Sequence, residues 1–538
     1  MSKSILHSTR LISLVTLSSR ITGLLREIIV AAWLGNNWIQ DRLTYAFLVP
    51  NIFRQLLGEG ALSAAFIPVL TDKLTKEDRK AAGKLVGNVA TVLTVILFIL
   101  TMIVLLIIGG IWFFSKKTEY INLSAGLTAV MVPYMIFVCL VALFSGLLNC
   151  LDHFGIPAFM PVIINMSQVF GVIFAQKILV KFGIPDQHKV YIIGIAVLLA
   201  GVVQLVWIIH TVKKAGISWS LSFSIADPDL RRIVITMGPM IFGLGILQFS
   251  TWMDNQVMIS LTATTKEYFT IFGKNINYPL HEGALSGVNF ARRLYNFPVG
   301  VLGIALATAV FPAFSRFAAN KDHKSLADLV SKSLRLAIFE GLPMGIGLMV
   351  LSHLLVRVLL QRGNFSNHNT AQTAYVLQFY AIGVWAYCGH HIVVRAFYSL
   401  KDTMTPLRVL SKTITITILM NIFLLWVPSI REGIFGLSTS IMSSLNVIIL
   451  GWILSKKIGS LHFREIMKTT GKTLIASGLM ALAVLLTERY LPLHNKYLLL
   501  LACLTIAVAV FFPACWVLNI EEAKELFSRS HRLSPEKK

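Results

Sequence analysis

The sequence predicts an all-α polytopic membrane protein with about 14 transmembrane helices. Of its 538 residues, 56% are hydrophobic and only 14% are charged. Apolar runs long enough to cross a bilayer, about 20 residues each, recur along the whole chain. Short charged or Gly/Pro-rich breaks separate them and leave no room for a sizeable soluble domain. The composition is that of a membrane protein and excludes a soluble multi-domain chain.

The formal net charge of +23 does not indicate nucleic-acid binding. The basic residues are dispersed among the loops, and no basic domain is present that would hold a polymer. Counted over alternate loops, Lys and Arg are about twice as frequent on the side of the N-terminus, which the positive-inside rule assigns to the cytoplasm. We therefore expect both termini to be cytoplasmic and nucleic acid not to be a partner.

The first apolar run, residues 11–34, predicts helix 1 and carries charges in its interior. Arg20, Arg26 and Glu27 lie within it, although an arginine at the centre of a membrane helix costs roughly 2.5 to 3.5 kcal/mol. The run ends in a poor cleavage site, so we interpret it as a retained helix and not as a signal peptide. Charges kept at such a cost indicate a function and are expected to face water or a partner.

Helix 2, predicted over residues 44–70, follows a turn that contains Asp41. It also combines charge with helix-weakening residues, since Arg54 comes shortly after a proline and Glu59 stands between two glycines. Pro and Gly are tolerated in a membrane helix where neighbours or cavity water satisfy the freed backbone groups. Two adjacent charged helices indicate a shared polar cavity.

Four predicted helices follow, and the last two of them have almost no charge in their interiors and are interpreted as scaffold. They cover about 85–114, 122–150, 158–180 and 190–212. The pattern of helices 1 and 2 then returns. Met237-Gly238-Pro239 is predicted to open helix 7, which contains Asp254, and helix 8, about 284–315, contains Arg292 and Arg293 beside a Pro/Gly stretch. This recurrence predicts two six-helix lobes related by an axis along the membrane normal.

Helices 9 to 14 complete the prediction, at about 329–355, 371–399, 406–428, 433–455, 467–488 and 497–518. Helix 9 contains Glu340, which is left out of the predicted site, and helix 10 contains His390 and His391. Adjacent helical positions point about 100° apart and do not chelate a metal as an i, i+4 pair does. We interpret the histidines, and the five scattered cysteines, as packing residues.

Several segments together closely resemble the MurJ (MviN) family of lipid II flippases. They are SRITGLLRE at 19–27, PNIFR at 50–54 with GEGA at 58–61, RLYNFPVGVLG at 293–303, and YSLKDT at 398–403 followed by Thr405-Pro406. Their order and spacing agree with that family over nearly the whole chain. The resemblance places the chain in the multidrug/oligosaccharidyl-lipid/polysaccharide exporter superfamily.

The resemblance implies the following architecture and function. Two lobes, 1–212 and 213–456, form a V around a cationic cavity; helices 13 and 14, within 457–520, form a groove for a lipid tail, and 521–538 is a polar cytoplasmic tail. The family flips lipid II, the lipid-linked peptidoglycan precursor of cell-wall biogenesis and cell shape, across the inner membrane by alternating access. Implied partners are lipid II, membrane lipids and cell-wall synthesis proteins.

The substrate-binding residues that the resemblance and the charge pattern predict are Arg20, Arg26, Arg54, Arg293, Asp41 and Glu59. Guanidinium groups stay protonated and donate paired hydrogen bonds to phosphate oxygens, which suits a diphosphate substrate. The acids, together with Glu27, are expected to compete for the arginines when no substrate is bound. A buried ion pair that only joins helices is the alternative, and Arg292 is predicted either to face the cavity or to extend to the surface.

Asp254 and Asp402 are candidates for a cation site, because carboxylates with neighbouring Asn and Thr oxygens suit a hard cation. The preferred interpretation is a satisfied polar residue or a helix cap. No cofactor is expected, and a bound monovalent ion, sodium or chloride, stays open.

Three other functions fit the sequence less well. An oligosaccharide-lipid flippase or a cation-coupled small-molecule exporter has the same architecture, but an exporter is expected to rely on acids and about twelve helices. A membrane enzyme needs a carboxylate cluster or an acid/base pair, and the sequence has no paired Asp/Glu motif. A channel would carry rings of charge on symmetric helices. The sequence therefore predicts a transporter and not an enzyme.

Overall fold

The computed structural model describes residues 3–114, 118–263, 268–271 and 273–530. The described chain is nearly all helical, which confirms the predicted fold class. It forms two compact units. Unit 1 is Met1–Ile259 with Arg362–Phe365, and unit 2 is Ser260–Gln361 with Ser366–Lys538. The predicted lobe boundary at residue 212 is defined by the family's architecture and stays a prediction.

Unit 1 contains helices α1 to α10. Their bounds are α1 Lys3–Leu34, α2 Trp38–Phe53, a π-helix Arg54–Gly60, α3 Ala61–Lys76, α4 Arg79–Phe114, α5 Glu119–Met131, α6 Tyr134–Cys150, α7 Gly155–Lys177, a 3₁₀ turn Leu179–Phe182, α8 Asp186–Lys189, α9 Tyr191–Lys214 and α10 Pro228–Ser260. In this unit α1 packs on α7, α7 and α6 pack on α9, and the π-helix packs on α6. One apolar core joins these helices and includes Leu230 and Ile233 at the start of α10.

Unit 2 begins with a two-stranded antiparallel hairpin, β1 Tyr268–Ile271 and β2 Lys274–Asn277, in which Tyr268 pairs with Asn277. Its helices are α11 Ala284–Val301, α12 Gly303–Ala319, α13 His323–Val350, α14 Ser352–Leu359, α15 Asn367–Ile382, α16 Val384–Ser399, α17 Met404–Leu424, a 3₁₀ turn Arg431–Gly433, α18 Ile434–Ile458, α19 Phe463–Tyr490, α20 Lys496–Val517 and α21 Glu521–Ser530. The hairpin lies between α10 and α11, where the sequence predicted no strand.

Within unit 2, α13 lies centrally and packs on α16 and α19, while α19 packs on α20. Phe339 of α13 and Phe511 of α20 share one apolar cluster, with ring centroids 5.6 Å apart. The last two long helices are therefore fixed to the body of unit 2 through α13.

Eleven helices among the described residues are long and apolar enough to cross a membrane. Three further predicted spans are helical but not among those eleven, namely α1, α2 to α3, and α15 with α16. These three contain most of the charged and polar residues that the sequence marked inside spans. α1 contains Arg20, Arg26 and Glu27 within its apolar run, and α2, α3, α15 and α16 have only 16 residues each.

Several predicted helices differ in their bounds or continuity. Helix 7 was predicted to open at residues 237–239, but α10 begins at Pro228 and contains Pro239 in its interior. Helices 4, 8, 9 and 10 are each divided in two, and the breaks fall at 132–133, 302, 351 and 383. Pro133 and Gly383 stand at two of these breaks, because proline lacks a backbone donor and glycine weakens a helix.

Candidate functional site

The charged segment of α1 is one continuous helix. The Arg26 guanidinium pairs with the Glu27 carboxylate, and its Nε lies 3.0 Å from Glu27 Oε1. Both side chains are largely buried, with 13% and 14% exposed. Arg20, one and a half turns earlier, is exposed, and no residue in the described part of the chain forms an ion pair with it. The ion pair considered as the alternative therefore exists for Arg26, but it lies within one helix and does not join two.

The backbone of α1 at this level is held by α7. The buried amide of Asn165 donates to the Ser19 carbonyl and to the Thr22 hydroxyl, both at 3.3 Å. Thr22 Oγ1 in turn donates to the Ser19 carbonyl at 3.1 Å. The sequence predicts this α7 region as scaffold and does not predict a role for Asn165, whose only signal is that it is a polar residue in an apolar run. Asn165 fixes the segment between the two arginines.

Arg54 is the first residue of the π-helix Arg54–Gly60. Its Nε and one terminal nitrogen donate to the Asn51 side-chain oxygen at 3.1 and 2.9 Å. Single π-turns inside α-helices are rare and are frequent at functional sites. The side chain of Glu59, predicted as part of the site, lies outside the described residues.

The π-helix depends on partners for its backbone. The thiol of Cys139 donates to the Phe53 carbonyl at 3.6 Å, and Ser63 Oγ donates to the Gly58 carbonyl at 3.0 Å. A Cβ at Gly60 would lie 2.4 Å from Leu244 Cδ1 and 2.7 Å from the Gln55 carbonyl. The glycine that the sequence marked as helix-weakening is thus required for close packing.

Asp41 lies in the first turn of α2, where it is buried with 2% exposed. Its neighbour Arg42 stacks on Tyr120, with the guanidinium carbon 5.7 Å from the ring centroid. Acids near a helix N-terminus are stabilised by the unpaired backbone donors there. Asp41 therefore has a structural role at the start of α2 whatever it does for substrate.

The helix that contains Asp254, α10, is joined to α2 and the π-helix by polar side chains. Tyr45 Oη donates to Gln256 Oε1 at 2.6 Å, and Gln248 donates to the Gln55 side chain at 2.8 Å. Asp254 itself is half-buried on the same helix. These two bridges place α10 beside the segment that contains Arg54.

In unit 2, α11 presents Arg292 and Arg293 on different sides. Arg292 Nε donates to the Tyr380 hydroxyl at 3.3 Å, and the side chain is half-buried. Arg293 is exposed. Tyr295, fully buried, stacks on Tyr380 with ring centroids 5.2 Å apart, which orients the hydroxyl that Arg292 meets. Arg292 therefore has a specific partner and does not simply extend to solvent.

Asp402 caps the start of α17. It accepts from the Thr405 backbone at 3.0 Å and from the Thr405 hydroxyl at 2.7 Å, and it pairs with Lys457. Burial disfavours its charged form, but these donors outweigh burial and hold the pKa of Asp402 at about 2. The contacts favour the helix-cap interpretation of Asp402 over a cation site.

No group of three or more metal-ligating side chains occurs among the described residues. The His390 and His391 rings lie 6.1 Å apart between centroids, at 65° to each other. The five cysteines, all within the described residues, form no disulfide, and four of them are buried. The interpretation of the histidines and cysteines as packing residues stays a prediction.

Comparison with known proteins gives the family. The family model of the lipid II flippase MurJ matches residues 30–505. The chain belongs to the MurJ family. A probable lipid II flippase MurJ of Rickettsia prowazekii is 28% identical over 96% of this chain and 98% of its own length. The lipid II flippase MurJ of Burkholderia cenocepacia is 28% identical over 94% and 96%. MurJ proteins are transporters, so the chain is a transporter and not an enzyme.

Solved structures agree in fold. A MurJ lipid II flippase in an inward closed conformation has a TM-score of 0.74 at 20% identity and covers 97% of this chain and 99% of its own. An inward-facing multidrug resistance transporter of the MATE family and MOP superfamily has a TM-score of 0.65 at 13% identity, covering 83% and 98%. The polytopic helical fold of MurJ is thereby confirmed for this chain.

Proposed function

We propose that this protein flips lipid II from the cytoplasmic to the outer leaflet of the inner membrane by alternating access, as a step of peptidoglycan biosynthesis. The observation that carries the proposal is the match of the MurJ family model to residues 30–505. The excess of Lys and Arg on one set of loops supports cytoplasmic termini. Cell-wall synthesis proteins are proposed partners on the strength of the family alone.

The proposed ligands of the substrate diphosphate are the guanidinium groups of Arg20, Arg26 and Arg54 in unit 1 and of Arg293 in unit 2. Arg292 is proposed as a further cation. Each guanidinium group donates hydrogen bonds in a planar arrangement that matches the oxygens of a phosphate. It also stays positively charged at any physiological pH. A diphosphate that leaves water needs such charge-assisted hydrogen bonds to replace its hydration.

The Arg26–Glu27 pair suggests how binding and release are balanced. A buried arginine left without an acceptor is costly, whereas one anion can replace another at little cost. The substrate phosphate would displace the Glu27 carboxylate, and Glu27 would recover Arg26 as the substrate leaves. Glu27 is therefore proposed to aid release, and Arg26 to bind in both steps.

The test is depletion of the protein in its own cell, with an outer-leaflet probe that reports where lipid II resides. Wild type is expected to restore outer exposure. Arg26→Ala is expected to lower the rate about tenfold to a hundredfold, because a hydrogen bond to a charged group contributes roughly 1.5 to 3 kcal/mol. The matched control is Lys177→Ala, which removes an exposed cation at the end of α7.

Unchanged outer-leaflet lipid II on depletion would refute the substrate assignment and favour a glycan-lipid flippase or a small-molecule exporter. Full rescue by Arg26→Ala would instead refute the role of the arginine and leave the assigned substrate intact.

A further inference from the structure

The connection between α9 and α10, residues 215–227, lies along the first turns of α4, and we call it the α4 strap. Two glycines of α4 allow the backbone of the strap to approach the helix closely. A Cβ at Gly83 would lie 2.1 Å from the Ser218 carbonyl oxygen, and one at Gly87 would lie 2.0 Å from that of Ser220. The positions of these two glycines therefore determine where the strap lies on α4.

A side chain of α4 holds the far end of the strap. Asn88 Nδ2 donates to the Ser224 carbonyl, and Asn88 Oδ1 accepts from the Ser224 N–H, both at 2.9 Å. Asn88 is buried with 1% exposed. A buried amide that satisfies both groups of one backbone residue fixes the position of that residue.

The two halves of the strap differ in what their apolar side chains contact. Ile217 is fully buried, and Trp219 packs on Phe144 with ring centroids 5.1 Å apart. Beyond them, Leu221, Phe223 and Ile225 are 73%, 58% and 69% exposed. Leu221 and Phe223 are alternate residues and share a side of the chain, and Ile225 is exposed in the turn that follows. The second half of the strap thus presents three large apolar side chains, its apolar edge, away from the protein.

The length of α4 places this edge at the surface of the bilayer. α4 has 36 residues, about 54 Å at 1.5 Å per residue, whereas the hydrocarbon core is about 30 Å thick. The part of α4 that is longer than the hydrocarbon core is its charged start at Arg79, because its end at Phe114 is apolar. Asn88 is nine residues after that start, about 13 Å along the helix. The strap therefore lies beside the headgroup region.

Positive charge surrounds the apolar edge. Lys213 and Lys214 precede the strap, Arg231 follows it, and Lys84 is next to Gly83. All four side chains are exposed, and none forms an ion pair within the described part of the chain. Nearby carboxylates already have partners: Asp227 accepts from the backbone N–H groups of residues 229 and 230, and Asp229 pairs with Lys73. The four cations are therefore left to bind anions from outside the protein.

We propose that the α4 strap is a binding surface for anionic phospholipids of the leaflet on this side of the membrane. Leu221, Phe223 and Ile225 enter the acyl boundary, while the lysines and Arg231 bind headgroup phosphates. The combination of an apolar edge with flanking basic residues is what binds a lipid surface that carries negative charge. This inference depends on membrane insertion alone and not on the substrate that is transported.

The experiment uses the full-length protein in vesicles of phosphatidylcholine, alone or mixed with phosphatidylglycerol. A nitroxide on Phe223→Cys, with the half-buried Cys150 replaced by Ser, is expected to collide more with oxygen than with a water-soluble nickel chelate in the mixed vesicles. The control is Ser218→Cys on the first half of the strap, which is expected to show the reverse. Access to nickel at both positions in both lipids would overturn the proposal, because the edge would then face water and not lipid.

A second measurement tests the charges. Competition between the two phospholipids for the purified protein is expected to favour phosphatidylglycerol. In Lys213→Gln with Lys214→Gln the preference should fall about fivefold for each charge removed. The matched control, Lys177→Gln with Lys181→Gln, removes two exposed lysines elsewhere and should leave the preference unchanged. An equal fall in both double variants would refute a specific surface at the strap.

Discussion

Two neighbouring parts of unit 1 cross the same membrane in different ways. α4 is a regular helix whose second half exposes large apolar side chains such as Leu106, at 75%, and Phe114, at 85%. The segment α2 to α3 contains two prolines and a π-helix, and it buries polar residues. A lipid-facing helix satisfies its own backbone and needs only hydropathy. A charged helix needs partners from elsewhere in the fold, because its backbone is irregular and its side chains are polar.

The largest effect is expected when a charge is introduced into α4, the lipid-facing helix. Leu106→Arg on α4 should cost about 3 kcal/mol, because an arginine would face lipid. Most of the protein should then fail to insert or fold. The amount of monodisperse protein extracted from the membrane measures this, with Leu106→Ile as control. Arg20→Leu in α1 changes an exposed side chain that has no ion pair among the described residues, so it should keep that amount and lose transport. Normal yield of Leu106→Arg, or a low yield of Arg20→Leu, would contradict the contrast.

Gly60→Ala tests whether close packing maintains the π-helix. The new methyl group would meet Leu244 and the Gln55 carbonyl, so we expect a loss of about 1 to 3 kcal/mol. Gly110→Ala on α4 has no atom within 4 Å of its added Cβ and should be neutral. The midpoint of thermal unfolding in detergent compares the two. Equal midpoints would show that the segment tolerates repacking.

Removal of the Asn165 amide should have a smaller effect. Asn165→Ala deletes two long hydrogen bonds to α1, and such bonds between membrane helices contribute about 0.6 kcal/mol on average. Thr94→Ala on α4 removes only a bond within one helix, Thr94 Oγ1 to the Ala90 carbonyl at 2.7 Å. Unfolding in mixed micelles should show a lower free energy of unfolding for Asn165→Ala than for Thr94→Ala. A larger loss of free energy in Thr94→Ala would contradict this expectation.

The smallest effect is expected at His281, whose half-exposed side chain lets water screen its charge. The hydrogen bond from His281 to Glu432, 2.9 Å, raises the pKa of His281 above 6.5, although partial burial and Arg431 oppose the rise. This stabilisation is complete below pH 6.5 and is lost as pH rises through the elevated pKa. The thermal midpoint should therefore fall from about pH 6 to pH 8.5, and less so in His281→Ala. Identical pH profiles would exclude a contribution from this pair.

Sequence alone located the charged segments well but not their partners. Arg20, Arg26 and Arg54 are recognisable because a charge inside a long apolar run is rare and costly. Asn165 was missed, since a single neutral polar residue in an apolar helix gives no comparable signal. The hairpin 268–277 was also missed, because its strands are four residues long and lie in a polar connection.

What the sequence by itself determined is the class of protein, the order of its spans and the MurJ family. Hydropathy is a local property, and in a bilayer it decides which segments become helices. The tertiary structure decided the π-helix at Arg54, the attachment of α1 to α7, and the course of the α4 strap. Each depends on a contact between residues far apart in the chain, such as Gly60 with Leu244 or Asn88 with Ser224, and no local pattern encodes which residues will meet.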